Sequence, residues 1–127
     1  MTRLEARSTE AQLKAQIEDY LQYGMNQGRW WFTRLNAGSF IADKGTPKER
    51  LIKGCPKGTA DLEVIVGSKW EKARLPKVYF LELKSPTGRQ TKEQKEFQES
   101  VRRQGCFYYL IRSIEEVMLL LYPNEPL

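Results

Sequence analysis

The run VYFLELK at residues 78–84 is the strongest strand signal in the chain. Aromatic and branched apolar side chains of this kind favour a strand that lies deep in a β-sheet. Because side chains alternate along a strand, Glu82 and Lys84 share one face, whereas Leu81 and Leu83 share the other. A carboxylate and an ammonium at the end of a buried strand cost free energy unless they pair or bind a ligand. The motif therefore indicates either a simple Glu–Lys ion pair or the centre of a functional site.

Three further segments carry strand signals, and they surround this one in the chain. Strands are expected at 30–35, 61–66, 78–84 and 106–111, with polar connections at 36–56 and 69–77. The first three strands are expected to be antiparallel, and a helical crossover then leads to the fourth. The chain thus predicts an α/β (α+β) fold with the element order α-β-β-β-α-β-α, in which helices flank a mixed central sheet.

Capping residues place the helices. A T-x-x-Q box at Thr9 begins a helix that is expected to end near Gly24, and a second box at Thr91 begins a helix that ends at Gly105. Ser113 is expected to cap the last helix, which carries apolar residues at helical spacing. No internal repeat interrupts this order.

Length and composition favour one domain. We expect a flexible arm at residues 1–8 and a single domain at residues 9–127. No apolar run approaches the ~18 residues of a membrane span, and the charged N-terminus is unlike a signal peptide. The sequence therefore predicts a cytoplasmic protein with no membrane partner, in which Cys55 and Cys106 are ordinary thiols.

The chain contains no histidine. This excludes Ser-His-Asp and Cys-His catalysis and nearly all zinc sites that use histidine. Catalysis would have to use carboxylates, lysines, tyrosines or metal ions held by oxygen atoms. The net charge of +5 and the isoelectric point near 9.3 suit a polyanionic partner such as nucleic acid. A solvated basic surface without any such partner would have the same composition.

A second acidic residue stands at the start of a predicted strand. Asp61 closes the sequence GTAD at residues 58–61, where a loop meets the strand at 61–66. If this strand forms a hairpin with the strand at 78–84, Asp61 lies beside Glu82. Two neighbouring carboxylates repel each other, so a divalent cation such as Mg²⁺ is their natural partner. Alone, Asp61 would be interpreted as an ordinary strand-start acid.

These motifs together resemble the VRR-Nuc family of the PD-(D/E)XK nuclease superfamily, and the resemblance covers most of the chain. The segments that carry it are FTRLNAG at 32–38, GTAD at 58–61, FLELKSPTGR at 80–89, TKEQ at 91–94 and Gly105. One departure is that Ala60 stands where the superfamily name expects proline. Because the acid itself is present, the difference concerns only the geometry of the loop.

The resemblance implies a restriction-endonuclease-like fold and a DNA endonuclease that depends on Mg²⁺ or Mn²⁺. It implies Asp61 and Glu82 as metal ligands and Lys84 as the catalytic lysine. Relatives of this kind are standalone phage and bacterial domains, similar to structure-specific nucleases that cut flaps or Holliday junctions. A homodimer is expected because cutting both strands of a junction in concert needs a symmetric pair of sites.

The family also uses a glutamate on its first helix, and two residues are candidates. Glu10 falls within the stripe of apolar residues that faces the core, whereas Glu18 lies towards its flank. We therefore prefer Glu10 as a third metal ligand and keep Glu18 in reserve. An acid directly after the Thr9 cap would also stabilise the helix dipole without any catalytic role.

The remaining candidates have two interpretations each. Gln94 could orient water or phosphate, or it could only complete the capping box. Candidate phosphate contacts, which surface solvation explains equally well, are Arg34, Asn36, Arg89 and Lys92. Aromatic residues that could stack on bases, but that are more often part of a core, are Trp30, Trp31, Tyr108 and Tyr109.

Two competing functions remain open at this point. A nucleic-acid-binding module without catalysis would use the basic surface alone, with the acids merely forming salt bridges. A small toxin or assembly protein could reuse the same fold, since a fold does not fix a function. A chelator would inactivate the nuclease and leave the binding module unaffected.

Overall fold

The computed structural model describes residues 9–67 and 75–121. The arm expected at 1–8, most of the connection expected at 69–77 and the end of the domain at 122–127 lie outside the described residues. The described elements are α1 (Glu10–Asn26), β1 (Trp31–Arg34), β2 (Ser39–Ala42), β3 (Arg50–Lys53), β4 (Leu62–Val66), β5 (Lys77–Leu83), α2 (Lys92–Arg103), β6 (Phe107–Ile111) and α3 (Ile114–Leu121).

Four strands form the central sheet in the order β1-β4-β5-β6. The pairs β1–β4 and β4–β5 are antiparallel, and β6 lies parallel to β5 after the crossover through α2. This confirms the expected mixed sheet flanked by helices, with three antiparallel strands and a helical crossover. The sheet therefore brings the end of β5, with Glu82, next to the start of β4.

The segment 36–56 differs from the prediction, because it contains a β-hairpin rather than only a loop. Strands β2 and β3 pair with each other in a separate two-stranded sheet. Each strand has only four residues, which is too short for a clear alternating pattern. Its turn uses a positive φ at Asp43 and at Gly45, a conformation that aspartate and glycine tolerate.

One face of the central sheet carries the apolar core. Alternate residues of β4 and β5 point into it, and α1 and α3 cover them. The fully buried members are Ile17, Leu21, Leu62, Val64, Val66, Leu81, Val117 and Leu121. Helix α1 contributes Leu13, Ile17 and Leu21 at intervals of four residues, as its predicted apolar stripe requires.

Helix α2 covers part of the opposite face. Phe97 makes an edge-to-face contact with Phe80, with the ring centroids 5.2 Å apart, and it packs against Tyr108 at 6.1 Å. Glu82 lies on this face because it alternates with Leu81 and Leu83. The sheet therefore has a thick core on one side and a thinner aromatic layer, which includes the acidic residue, on the other.

Both predicted capping boxes are present, at Thr9 with Gln12 and at Thr91 with Gln94. Helix α1 continues past the expected end at Gly24, because the indole of Trp30 packs directly onto the helix backbone there. The Trp30 Nε1–H donates to the carbonyl of Leu21 at 2.9 Å. Within the described ranges, none of the helices is both long enough and apolar enough to cross a bilayer.

The contact between Gly24 and Trp30 predicts how a substitution of Gly24 changes the free energy of unfolding. Alanine usually stabilises a helix interior by about 1 kcal/mol relative to glycine. A Cβ at residue 24 would lie 2.0 Å from Trp30 Cζ2, so the indole would have to leave its buried position. We expect Gly24→Ala to lower the free energy of unfolding by about 2–4 kcal/mol, measured by urea denaturation.

Two comparisons isolate this contact. Gln16→Ala, at an exposed position of the same helix, should change the stability by less than about 0.5 kcal/mol. The shorter ring of Trp30→Phe should reduce the cost of Gly24→Ala. An equal cost in both backgrounds would contradict the contact.

Candidate active site

The register of β4 and β5 places Asp61 directly across from Glu82. Leu62 pairs with Leu81 in the antiparallel ladder, so the residue before Leu62 neighbours the residue after Leu81. The two carboxyl groups interact, because the charge of Asp61 raises the pKa of Glu82. The hairpin that the sequence required for this pairing is therefore present.

The Asp61 side chain is held by the backbone of β5. Its Oδ2 accepts a hydrogen bond from the Leu83 N–H at 2.7 Å. The loop before it is set by Gly58, which has a φ of 93° and whose Cα lies against the first turn of α2. A Cβ there would approach the Glu93 carbonyl oxygen to 2.4 Å. The glycine of the GTAD motif thus lets the loop pass close to α2 and deliver Asp61 to the sheet.

Glu82 is the one charged residue in the described buried set, with 3% of its surface exposed. Its Oε2 accepts a hydrogen bond from Gln94 Nε2 at 3.3 Å. Its Oε1 is buried and has no hydrogen-bond partner among the described residues. Buried carboxylate oxygens in this situation cost free energy unless a cation or a donor satisfies them.

Burial, and then the neighbouring Asp61, raises the pKa of Glu82 to about 8. The charge of Lys84 acts in the opposite direction and lowers this pKa, whereas the charge of Glu10 raises it further. A carboxyl group in this position is protonated at neutral pH unless positive charge is bound beside it. The site is therefore electrostatically suited to a cation.

Gln94 completes the capping box, as one of its two interpretations predicts, and it also contacts Glu82; its orientation of water or phosphate stays a prediction. Its Oε1 accepts from the Thr91 N–H at 2.9 Å, and its own N–H donates to Thr91 Oγ1 at 3.1 Å, which closes the capping box. The remaining amide group, Nε2, binds Glu82. One side chain therefore begins α2 and orients the buried carboxylate.

Lys84 follows the last residue of β5 and is half-buried. Its backbone N–H donates to the Ile111 carbonyl at 2.9 Å, which ties the end of β5 to β6. Next to it, Arg112 donates from one guanidinium nitrogen to the carbonyls of Ser85 at 2.6 Å and Gly88 at 2.8 Å. This holds the turn that follows Lys84.

Sequence reasoning did not single out Arg112. The parallel register pairs Leu83 with Ile111, so Arg112 lies next to Lys84 in the continued ladder. A signal was present in the chain, since Arg112 directly follows the strand segment at 106–111. To recognise Arg112 from the sequence, one would have needed the register between β5 and β6, which are distant in the chain.

The two first-helix candidates lie in different environments. Glu18 is bound by Arg34, with 2.6 Å between Arg34 Nε and Glu18 Oε1. Glu10 lies in the exposed first turn of α1, and its charge acts on Glu82. The charge of Glu10 thus acts on Glu82, whereas Glu18 is engaged by Arg34.

The four candidate DNA contacts differ in their local partners. Arg34 is occupied by its ion pair with Glu18, and the backbone carbonyl of Asn36 accepts from Cys55 N–H at 2.6 Å. Arg89 and Lys92 are exposed and make no ion pair with the described residues. Both residues lie in the segment between the turn after Lys84 and Gln94.

The aromatic candidates separate by burial. Trp30 and Tyr108 are buried, which agrees with the core interpretation. Trp31 is half-exposed, and Tyr109 is about one-third exposed and stacks on Tyr79 with the ring centroids 6.2 Å apart. Only the latter two present ring surface to solvent.

The carboxylate oxygen atoms of Asp61 and Glu82 are suitable ligands for a hard divalent cation. Among the residues that the structure describes, no three acidic, cysteine or histidine side chains form a metal-binding group by themselves. Mg²⁺ is nevertheless usually held by one or two carboxylates, with water and substrate phosphate completing its shell. The paired Asp61 and Glu82, with the buried Oε1 of Glu82, provide oxygen ligands of this kind.

The raised pKa of Glu82 predicts how stability depends on pH in metal-free protein. Between its ordinary value of 4.5 and about 8, the folded state keeps a proton that the unfolded chain releases. The free energy of unfolding should therefore fall as the pH rises through this window. Glu82→Gln cannot ionise, so at pH 8 it should be more stable than the wild type by about 2–4 kcal/mol.

Urea denaturation in chelator across this pH window measures the difference. Glu115→Gln, an exposed change of the same type, is the control and should follow the wild-type curve. Equal pH dependence in Glu82→Gln and the wild type would show that Glu82 titrates normally.

Comparison with known proteins finds no matching family model, no similar curated protein and no similar solved structure. The likeness to VRR-Nuc nucleases therefore depends on the motifs around Asp61, Glu82 and Lys84. What the site does has to be inferred from its geometry and charge.

Proposed function

We propose that this chain is a divalent-metal-dependent nuclease that hydrolyses DNA phosphodiester bonds. The observation that carries the proposal is the pairing of Asp61 with Glu82 beside Lys84. The buried Oε1 of Glu82 has no hydrogen-bond partner in the part of the chain that the structure describes. In a chain without histidine, this arrangement suits phosphoryl transfer through oxygen ligands and an ammonium group. The resemblance to the VRR-Nuc family agrees with it.

The carboxylates would hold the metal ion. Asp61 has one oxygen fixed by the Leu83 N–H, which leaves Oδ1 for a ligand. Glu82 has Oε2 fixed by Gln94, which leaves Oε1. Glu10, on the first turn of α1, would add a third carboxylate directly or through water. Mg²⁺ or Mn²⁺, when bound there, supplies positive charge to the phosphate and lowers the pKa of nearby water.

Lys84 would act on the phosphate itself. Water adds to phosphorus and releases one proton to solvent, the bond from phosphorus to one sugar oxygen breaks, and that oxygen leaves with a proton taken from solvent. The negative charge on the non-bridging oxygens is greatest in the transition state. An ammonium group placed there stabilises the transition state more than the ground state.

Two residues would position the groups that react. Gln94 fixes the orientation of Glu82, and Arg112 fixes the turn after Lys84 through two backbone carbonyls. Both act through hydrogen bonds that exist without substrate. Such prior positioning reduces the reorganisation that the reaction would otherwise require.

The basic balance of the chain supports a polyanionic substrate. With a net charge of +5, the protein attracts phosphate backbones, and the exposed Arg89 and Lys92 are placed by the chain next to the site. Following the resemblance, we propose branched DNA, such as flaps and four-way junctions, as the preferred substrate. The reaction would take place in the cytoplasm of a bacterium or of a phage-infected cell.

Cleavage assays test the proposal directly. With Mg²⁺ or Mn²⁺, the wild type should cut DNA, and chelator should abolish the cutting. Asp61→Asn and Lys84→Met should each reduce the rate by at least about a hundredfold while DNA binding persists. The substrates are linear, flapped and four-way DNA, compared at fixed salt because binding depends on it.

Asp19→Asn and Lys95→Met are the matched controls, because both change exposed residues of the same types away from the site. Both should cut at the wild-type rate. If the wild type binds DNA but cuts none of these substrates with either cation, the chain is a binding module. If Asp61→Asn and Lys84→Met cut normally, the assigned site is wrong.

A further inference from the structure

The β2–β3 hairpin exposes apolar side chains on both of its faces. Phe40 pairs with Ile52 on one face, and Ile41 pairs with Leu51 on the other. Ile41 is 54% exposed and Leu51 is 62% exposed. An isolated two-stranded hairpin is marginally stable in water, and a cross-strand apolar pair gains free energy only when something covers it. This hairpin at residues 39–53, which is called the arm from here on, is therefore suited to bind another protein surface.

The arm also carries unpaired positive charge. Lys44, Lys48 and Lys53 make no ion pair with the described residues, whereas Arg50 is bound to Asp43 at 2.9 Å. Lys53 shares a face with Leu51, because the two residues are two positions apart on one strand. The face that shows Ile41 and Leu51 thus has an apolar centre with Lys53 at one end and Glu49 beside the apolar pair. The hairpin as a whole is basic, with four cations against two acids in residues 39–53.

A groove at the base of the hairpin, lined in part by Leu35 and Cys55, has the complementary character. It has a volume of about 410 Å³ and lies between the open face of β4 and β5, helix α2 and the loop before Asp61. Apolar side chains form its floor, and they include Leu35, Phe80 and Phe97. Acidic side chains line its rim, namely Glu63, Glu93 and Glu96, with Lys57 bound to Glu93 at 3.8 Å.

We propose that the hairpin of one copy of this chain docks into this groove of a second copy, so that two copies exchange arms. The apolar pair Ile41–Leu51 would cover the aromatic floor, and the lysines of the arm would meet the glutamates of the rim. In a single chain the arm leaves its apolar pair in water. Reciprocal exchange covers both arms and both grooves in one closed, two-fold symmetric dimer.

A duplex is a weaker occupant for this face of the arm. Lysines suit phosphate, but phosphate offers nothing to an exposed Ile41–Leu51 pair. The glutamate-rimmed groove would repel a DNA backbone and attract the basic arm. The charge pattern of the arm and the groove therefore favours a second copy. This inference does not depend on catalysis, so it stands or falls separately from the nuclease proposal.

The molar mass of the full chain tests the interface. Sedimentation across the micromolar range should show a dimer for the wild type. The double variant Ile41→Ser/Leu51→Ser should raise the dissociation constant of the dimer by about a hundredfold, because two apolar side chains lose their burial. Leu119→Ser, at a leucine of α3 that is even more exposed than Ile41 and Leu51, is the control and should leave the dissociation constant unchanged.

A charge exchange keeps the test decisive if the serine variant folds poorly. One variant reverses the arm, with Lys48→Glu and Lys53→Glu, and another reverses the groove, with Glu63→Lys and Glu96→Lys. Each variant alone should be monomeric, because its arm and its groove have the same charge. A mixture of the two should form a heterodimer, because each arm then meets a groove of opposite charge.

Several results would overturn the proposal. One is a wild type that stays monomeric at every concentration, and another is a dimer that survives the serine and charge-reversal changes. A third is a monomer whose DNA affinity falls when the arm lysines are reversed, which would assign the arm to nucleic acid. Heterodimer formation by the mixed variants supports arm exchange even if the protein cleaves no DNA.

Discussion

Antiparallel pairing of β4 with β5 brings two carboxyl groups side by side at the end of the sheet, and much of the structure accommodates that placement. Leu83 donates its N–H to Asp61, Gln94 donates to Glu82, and Lys84 supplies opposite charge. Even so, one oxygen of Glu82 stays buried without a hydrogen-bond partner among the residues that the structure describes. A sheet end that needed only stability would place apolar residues here, since replacing buried charge with packed apolar groups often stabilises a protein.

The two faces of the sheet differ in composition: one carries the apolar core and the other carries the acidic pair. The face under α1 and α3 is filled mainly with aliphatic side chains, together with the buried rings of Trp30 and Tyr79. The face under α2 carries the acidic pair, an aromatic layer and an open groove. Successive residues of β5 point to opposite faces of the sheet. Leu81 and Leu83 pack in the apolar core, and this packing holds Glu82, between them, at a fixed position on the other face.

Local patterns predicted the parts of this arrangement that depend on neighbours in the chain. The alternation in VYFLELK put Glu82 and Lys84 on one face, and the T-x-x-Q boxes located two helix starts correctly. The position of Asp61 needed an assumed hairpin, which the ladder of β4 and β5 contains. The β2–β3 hairpin and the role of Arg112 were missed, because short strands carry little periodicity and a parallel register joins distant segments that no local pattern connects.

The double role of Gln94 has a consequence for fraying of the helix that it caps. Its side chain closes the first turn of α2 and, with the same amide, holds the buried carboxylate. Helix nucleation is the unfavourable step of helix formation, so the side chain that favours the first turn of α2 also joins that turn to the buried carboxylate. Fraying at this end of α2 would therefore release Glu82 Oε2 from Gln94, while Asp61 stays bound to β5.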